Sequence, residues 1–167
     1  MDRTLDSTLL HITRLRLTVD YPGQIQTCLD ALSEDQIWWR PHEQANAVGN
    51  LVLHLIGSNH YYVEHAIGEH VLDRERAAEF TARATRTKSD LQAGWDASVR
   101  RTQAVLEGLT PSQMAQATER TGRTTTFAQI LLHVSHHNAT HMGQVVWITK
   151  MLAPGAFDDL WMKMRTK

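Results

Sequence analysis

The sequence predicts an all-α protein that folds as a four-helix bundle. Apolar residues recur at spacings of three and four through four long segments of the chain, which is the period of an amphipathic helix. No stretch alternates apolar and polar positions as a half-buried strand would. Four such helices bury their apolar stripes against one another and project functional groups into the shared core. The 167 residues are enough for one domain, 1–167, and too few for two.

The first two predicted helices are bounded by proline, glycine and capping residues. The first runs from about Thr4 to Leu32 and should kink or split at Pro22-Gly23, because proline removes a backbone hydrogen bond. The second begins near Asn46 and ends at Ile67, before a glycine. The residues predicted to line the core-facing stripe of the first helix are Leu9, Ile12, Leu15, Val19, Ile25, Leu29 and Leu32.

The third and fourth predicted helices each open with a capping box. In this motif, two residues three positions apart satisfy each other's backbone N–H groups. Thr87 pairs with Asp90 at the start of the third helix, and Thr126 pairs with Gln129 at the start of the fourth. The fourth helix is expected to end at Pro154, which cannot continue it.

The link between helices two and three, residues 68–86, is long for a connection in a bundle. It is long enough to span the bundle, so we expect helices two and three to run parallel through a crossover. Residues 73–80 within it predict a short helix, and we interpret the charged run 73–86 as a solvated face. A short turn is expected at 158–164.

The charge balance and the hydropathy exclude several classes of partner. Lys and Arg number 17 and Asp and Glu 18, so there is no electrostatic case for a nucleic acid or an anionic membrane surface. No apolar run approaches the roughly 18 to 20 residues of a membrane span. Acids and arginines interrupt the amino-terminal segment, and Cys28 has no partner for an internal disulfide. We therefore expect a soluble cytoplasmic protein.

Histidines on apolar stripes are the functional signal among the ten in the chain. His54 lies within LVLHLI, and His137 and His141 lie one turn apart on the core stripe of the fourth helix. A buried imidazole left without a partner costs about 1–3 kcal/mol. Side chains at i and i+4 project about 6 Å apart and can converge on one metal ion. His133 and His141 are about 12 Å apart, too far to share it.

A third ligand must therefore come from another helix, and His54 is the best placed residue because of its apolar setting. Three protein ligands with one open position are typical of a catalytic metal site. The alternative is that these histidines are hydrogen-bonded to backbone carbonyls or carboxylates and bind no metal.

Two histidine motifs also carry a resemblance to a known family. His137-Asn-Ala-Thr-His141-Met-Gly143-Gln144 resembles the H-x-x-x-H-x-G-Q signature of the DinB-like (DinB/YfiT) superfamily. Residues 46–55 (NAVGNLVLHL) resemble its second-helix segment, and residues 35–41 and 79–80 are also similar. The similarity covers roughly residues 8–152. It implies a crossover four-helix bundle, often homodimeric. It also implies that His54, His137 and His141 bind a divalent ion, commonly zinc or nickel.

The same resemblance suggests an activity. Relatives include thiol S-transferases that use bacillithiol, mycothiol or glutathione, and a thiol-dependent maleylpyruvate isomerase. Our leading hypothesis is therefore a metal-dependent thiol S-transferase acting on a small electrophile, with a low-molecular-weight thiol as cosubstrate. Cys28 lies near the apolar stripe of helix one and is a poor source of that thiol.

Two alternatives to the transferase remain. One is a non-catalytic, stress-linked metal-binding dimer. The other is a metal-dependent hydrolase, which is disfavoured because no carboxylate flanks the three histidines on their own helix faces.

Four further residues are candidates for the pocket. We expect Gln144 to hydrogen-bond a ligand imidazole, His133 to line the pocket or support a ligand, and Tyr61 to donate to a bound substrate. Arg40 could hold a carboxylate in a planar fork. Each residue also has an alternative without a role in function. These are an interhelical hydrogen bond for Gln144, no role at the site for His133, a core position for Tyr61, and stacking on a neighbouring tryptophan for Arg40.

Overall fold

The computed structural model describes residues 4–157, so the turn predicted at 158–164 lies outside the described residues. The all-α class is confirmed. Two of the helices continue into π-helical segments, Arg16–Asp20 after α1 and His60–His65 after α4. The α-helices are α1 (Leu5–Leu15), α2 (Tyr21–Ala31), α3 (Glu34–Ile37), α4 (Val48–Asn59), α5 (Arg76–Thr81), α6 (Lys88–Glu107) and α7 (Phe127–Leu152).

The first predicted helix changes register at its proline and does not separate into two. The Tyr21 N–H donates to the carbonyl of Arg16, which makes the segment between α1 and α2 π-helical. Pro22 then falls within the first turn of α2, where a missing N–H leaves no bond of that helix unmade. The expected kink or split is therefore a π-bulge directly before the proline.

The core-facing stripe predicted for the first half of this helix is wrong. Ile12, Leu15 and Val19 are 48%, 43% and 57% exposed, whereas Leu10 and Leu17 are buried. Both rows satisfy a helical period, so the spacing of apolar residues alone could not distinguish them. Packing against α7 and α6 selects the second row.

The capping boxes at Thr87 and Thr126 are confirmed. The second helix begins one residue later than its predicted cap, because Ala47 is the N-cap and the side chain of Asn50 accepts its N–H at 3.1 Å. The amide nitrogen of Asn50 also donates to the carbonyls of Glu79 and Ala82, at 2.9 and 3.1 Å. Asn50 thus ties α5 to the start of α4.

The core consists of two apolar clusters separated by a polar layer. The first cluster includes Ile25, Leu55 and Trp95, and the second includes Leu17 and Leu106. The buried polar residues that lie between these clusters along their helices are Ser58, Asn59, Ser98, Thr102 and Asn138. Within this layer, the Asn138 amide donates to Asn59 Oδ1 at 2.9 Å.

The order of the two clusters along each helix gives the topology. From its amino end, α4 contributes to the first cluster and the segment 60–67 that continues it contributes to the second, and α6 runs in the same order. In contrast, α1–α2 and α7 pass from the second cluster to the first. Helices α4 and α6 are therefore parallel, and the link between them crosses the length of the bundle. The predicted crossover is confirmed.

Short elements complete the connections. Within the crossover link, the predicted helix at 73–80 is present as α5. Between α6 and α7, β1 (Ala117–Thr118) pairs antiparallel with β2 (Thr125–Thr126). This ladder was not predicted, because two residues are too few to show an alternating pattern.

Arg14 on α1 caps the carboxyl end of α6. Its guanidinium donates to the carbonyls of Leu106 and Leu109, at 2.8 and 2.7 Å. The last carbonyls of a helix lack the usual donors four residues on, and the Leu106 carbonyl otherwise accepts only the Leu109 N–H, at 3.2 Å, and the N–H of the C-cap Gly108. We expect Arg14→Ala to lower the free energy of unfolding by about 1–3 kcal/mol, since it removes charge-assisted hydrogen bonds. Urea unfolding measures this. Arg16→Ala is the control, because its exposed pair with Asp20 should contribute about 0.5 kcal/mol or less.

Candidate metal centre

Three histidines from two helices meet in the interior of the bundle. His54 comes from α4, and His137 and His141 come from α7. One ring nitrogen from each lies within 4.8 Å of the others, and the Nε2 atoms of His54 and His137 are 2.9 Å apart. His54 is 5% exposed, whereas the two histidines of α7 are half-buried. The structure therefore brings together the three residues predicted as metal ligands.

The other nitrogen of each ring is held by a protein partner. His54 Nδ1 lies 2.8 Å from Glu79 Oε2, and His141 Nδ1 lies 2.8 Å from Gln144 Oε1. His137 Nδ1 lies 3.3 Å from Ser58 Oγ. A carboxylate and an amide oxygen only accept, so His54 and His141 carry their protons on Nδ1. The Nε2 lone pairs are then free to face the shared centre.

This donor set fits a divalent cation. The Nε2 atoms of His54 and His137, 2.9 Å apart, can be joined in two ways. Either His137 carries its proton on Nε2 and accepts the Ser58 hydroxyl on Nδ1, or a cation lies between the two lone pairs. Nitrogens that bind one tetrahedral zinc ion at about 2.1 Å are about 3.4 Å apart. This separation lies within the 4.8 Å that encloses the candidate ligand atoms of the three histidines. Among residues 4–157, no fourth His, Cys, Asp or Glu joins this group. Three protein ligands are typical of a catalytic site.

The pKa values of these histidines are consistent with neutral ligands. Burial, together with the charges of His141 and His54, lowers the pKa of His137 to about 4. Burial also lowers the pKa of His141, and the charge of His54 adds to this, against the hydrogen bond to Gln144. The imidazoles of His137 and His141 are therefore neutral at pH 7, as metal binding requires.

Glu79 is a site residue that the sequence analysis missed. It is 7% exposed, and Arg74 donates to both of its carboxylate oxygens, at 2.6 and 2.9 Å. Burial opposes ionisation, but the hydrogen bonds from His54 and Arg74 outweigh it and lower the pKa of Glu79. The interpretation of 73–86 as a solvated face is therefore wrong at Glu79. The spacing of residues along a helix could not reveal this contact, because 25 positions separate Glu79 from His54.

Glu79 reaches His54 because Gly57 leaves room for it. A Cβ at Gly57 would collide with the Glu79 carboxylate, and the ring of Phe80 packs on His54 at 4.7 Å. As predicted, no carboxylate approaches the three histidines from their own helices. A carboxylate arrives from α5 and lies behind the ring, on the side away from the other histidines.

The remaining predicted pocket residues lie at different distances from the histidines. Gln144 makes the expected contact with His141. His133 is exposed, and its ring lies 6.0 Å from that of His137, between centroids. Tyr61 packs on Tyr62, and the Arg74 guanidinium lies 5.9 Å from its ring. Their roles in binding or catalysis stay predictions.

Arg40 and Cys28 complete the predicted set. Arg40 donates to Asn50 Oδ1 at 3.4 Å, so it lies beside the start of α4, one turn before His54. Cys28 is buried in the first core cluster, and burial raises the pKa of its thiol to about 11. This confirms that Cys28 is not a reactive thiol.

The architecture is that of the DinB-like proteins. A DinB-like protein of Bacillus subtilis matches this chain with a TM-score of 0.63 and 22% sequence identity, over 83% of this chain and 90% of its own. A DinB-like protein of Bacillus cereus matches with a TM-score of 0.68 and 15% identity, over 93% of this chain and 99% of its own. At these identities the likeness concerns the fold.

The family itself is defined by sequence. Residues 7–164 match the family described as "Protein of unknown function (DUF1572)", and the chain belongs to that family. No curated protein matches the chain. Within residues 4–157, no helix has the length and apolar character needed to cross a membrane.

The first prediction from this geometry concerns the residue behind His54. We expect Glu79→Gln to weaken zinc binding about 10- to 100-fold, because the amide holds the His54 ring less firmly and no longer raises its basicity. Competition with a chromophoric chelator measures the affinity. The control is Glu75→Gln, an exposed acid at the start of α5. Equal affinities for both variants would contradict the role of Glu79.

The second prediction concerns pH. With a folded-state pKa of about 4 for His137 and about 6.5 in the unfolded chain, the unfolded state binds the proton first as pH falls. Stability is therefore present above about pH 6.5 and is lost as pH falls towards 4. In chelator, we expect the free energy of unfolding to fall less between about pH 7 and pH 5 in His137→Gln than in the wild type. Equal losses in urea titrations would refute this.

Proposed function

We propose that the chain is a divalent-metal-dependent enzyme, with zinc or nickel held by His54, His137 and His141. The observation that carries this proposal is the convergence of three imidazoles whose Nδ1 atoms are engaged by Glu79, Ser58 and Gln144. Such engagement leaves each Nε2 as a preorganised ligand atom. The half-buried state of the α7 histidines supports a site that a small molecule reaches from one side.

The reaction that we propose is the transfer of a thiol to a small electrophile. The thiol loses its proton to solvent, its sulfur forms a bond to the electrophilic carbon, and the displaced group leaves with the electrons of the bond that breaks. A bound divalent ion lowers the pKa of a coordinated thiol and keeps it deprotonated. Because Cys28 is buried and its pKa is raised, the thiol comes from a low-molecular-weight cosubstrate.

The residues of this chain supply position and charge. The Glu79 carboxylate holds the proton on His54 Nδ1, and Arg74 holds Glu79 through two hydrogen bonds. Gln144 holds His141 in the same way from within α7. His54 and His141 are then each fixed in the tautomer that presents Nε2.

Hydrolysis is the second candidate, and Glu79 is the observation that bears on it. A carboxylate free to act as a general base near the reacting water would favour a hydrolase. Both oxygens of Glu79 are engaged by Arg74, and one also contacts His54. This engagement favours a positioning role over a base. The homodimer, the cytoplasmic location and the expected lack of nucleic-acid or membrane partners stay predictions.

The metal site is tested by metal analysis of protein purified without a tag. We expect about one zinc or nickel ion per chain in the wild type, and its loss in His54→Ala, because two imidazoles from one helix bind far more weakly than three ligands. His136→Ala is the matched control, since His136 neighbours His137 in sequence but is exposed and outside the cluster. Full metal retention by His54→Ala would refute the assigned ligands.

The activity is tested by conjugation of monochlorobimane with glutathione and other small thiols. Metal-loaded wild type should accelerate conjugation, and His54→Ala should lose at least about 100-fold of this rate, because the thiol is no longer activated. The rate is followed by fluorescence. A loaded protein that accelerates no thiol would favour the non-catalytic metal-binding dimer.

A further inference from the structure

A second feature lies next to the histidines on α7. It is a cavity of about 330 Å³, at the lower end of the size range of sites for small ligands. None of the three candidate ligands lines it. The residues that line it are Tyr62, Thr121, Arg123, Thr124, Thr125, Gln129, Ile130 and His133.

His133 forms the wall between this cavity and the metal centre. Its ring lies 4.6 Å from the ring of Tyr62 and 6.0 Å from that of His137, between centroids. The second of these pairs is stacked, with an interplanar angle of 27°. A molecule that fills the cavity therefore lies one imidazole away from a candidate ligand.

The polar groups of the cavity match an anion. The Arg123 guanidinium makes no hydrogen bond or ion pair with any residue in the described part of the chain. Its planar fork of donors suits a carboxylate. Thr121, Thr124 and Thr125 line the same cavity, but the hydroxyls of Thr121 and Thr125 already donate to the Arg123 carbonyl. The guanidinium of Arg123 is therefore the group that carries the match to an anion. No carboxylate of the described residues lines the cavity, although Thr124 Oγ1 lies 3.5 Å from Glu119 Oε1.

The loop that carries Arg123 is held in place by its own hydrogen bonds. The hydroxyls of Thr121 and Thr125 both donate to the Arg123 carbonyl, at 3.0 and 3.2 Å. Gly122 has a φ of +79°, and its N–H donates to the Glu119 carbonyl at 2.9 Å. The β1–β2 ladder closes the loop. The backbone of Arg123 is thus ordered before any ligand arrives, which lowers the entropic cost of binding.

We propose that this cavity binds the carboxylate of a substrate whose reactive end lies at the three histidines. Arg123 is the residue that determines this specificity, and His133 lies between the two ends of the molecule. The inference rests on the proposed function, because it assigns a chemical class to a substrate of the same site. The carboxylate belongs either to the thiol cosubstrate or to the electrophile.

Binding tests the cavity without any requirement for metal or activity. The probes are succinate, citrate, S-methylglutathione and inorganic phosphate, titrated into metal-free protein by calorimetry. We expect at least one carboxylate to bind wild type, and Arg123→Gln to weaken it about 10-fold. Arg120→Gln is the matched control, because Arg120 lies in the same loop but does not line the cavity. An effect below twofold, or tighter binding of phosphate than of every carboxylate, overturns the proposal.

Kinetics of the zinc-loaded enzyme then identify which substrate carries the carboxylate. If it is the thiol, Arg123→Gln lowers kcat/KM about 10-fold for glutathione but not for 2-mercaptoethanol. If it is the electrophile, the loss appears for iodoacetate but not for iodoacetamide. Equal effects on charged and neutral partners in both pairs overturn the proposal. If carboxylate binding depends on Arg123 but the wild-type protein takes up neither zinc nor nickel when they are supplied, the proposed function alone is refuted.

Discussion

The approach of His54 to the histidine pair of α7 is the interaction on which the rest of the site depends. His54 is 5% exposed, and an imidazole that deep requires partners for both of its nitrogens. One nitrogen faces His137 and the other faces Glu79. The second contact requires a carboxylate inside the protein, which in turn requires Arg74 to keep it ionised. A single buried ring thereby organises residues from three separate helices and the link between them.

The crossover link supplies these supports and does more than connect two helices. Residues 68–86 return the chain along the bundle so that α6 runs parallel to α4, and on the way they place Arg74 and α5 over His54. Asn50 holds two carbonyls of this segment. Gly57 has no side chain at the point where the carboxylate approaches. The length of the link therefore serves both the topology and the chemistry.

The three-histidine centre is buried on the side of α4 and more exposed on the side of α7. The α4 side of the centre is buried, and its polar atoms are satisfied by Glu79, Ser58 and Arg74. On the α7 side, His137 and His141 are half-buried. Beyond them lie His133 and a polar cavity lined by Arg123, whose guanidinium has no partner among residues 4–157. Such asymmetry suits a reaction centre, because the ligands are preorganised on one face while substrate has access on the other.

Local sequence determined the helices, their capping boxes and the spacing of His137 and His141, because these depend on residues within one or two turns. It also indicated His54, since a histidine inside an apolar run needs a partner. Tertiary structure decided which row of α1 is buried, how Pro22 is accommodated and that Glu79 lies behind His54. Those outcomes depend on contacts between residues that are distant along the chain. Helical periodicity constrains which residues share a face, but not which face or which distant side chain will meet it.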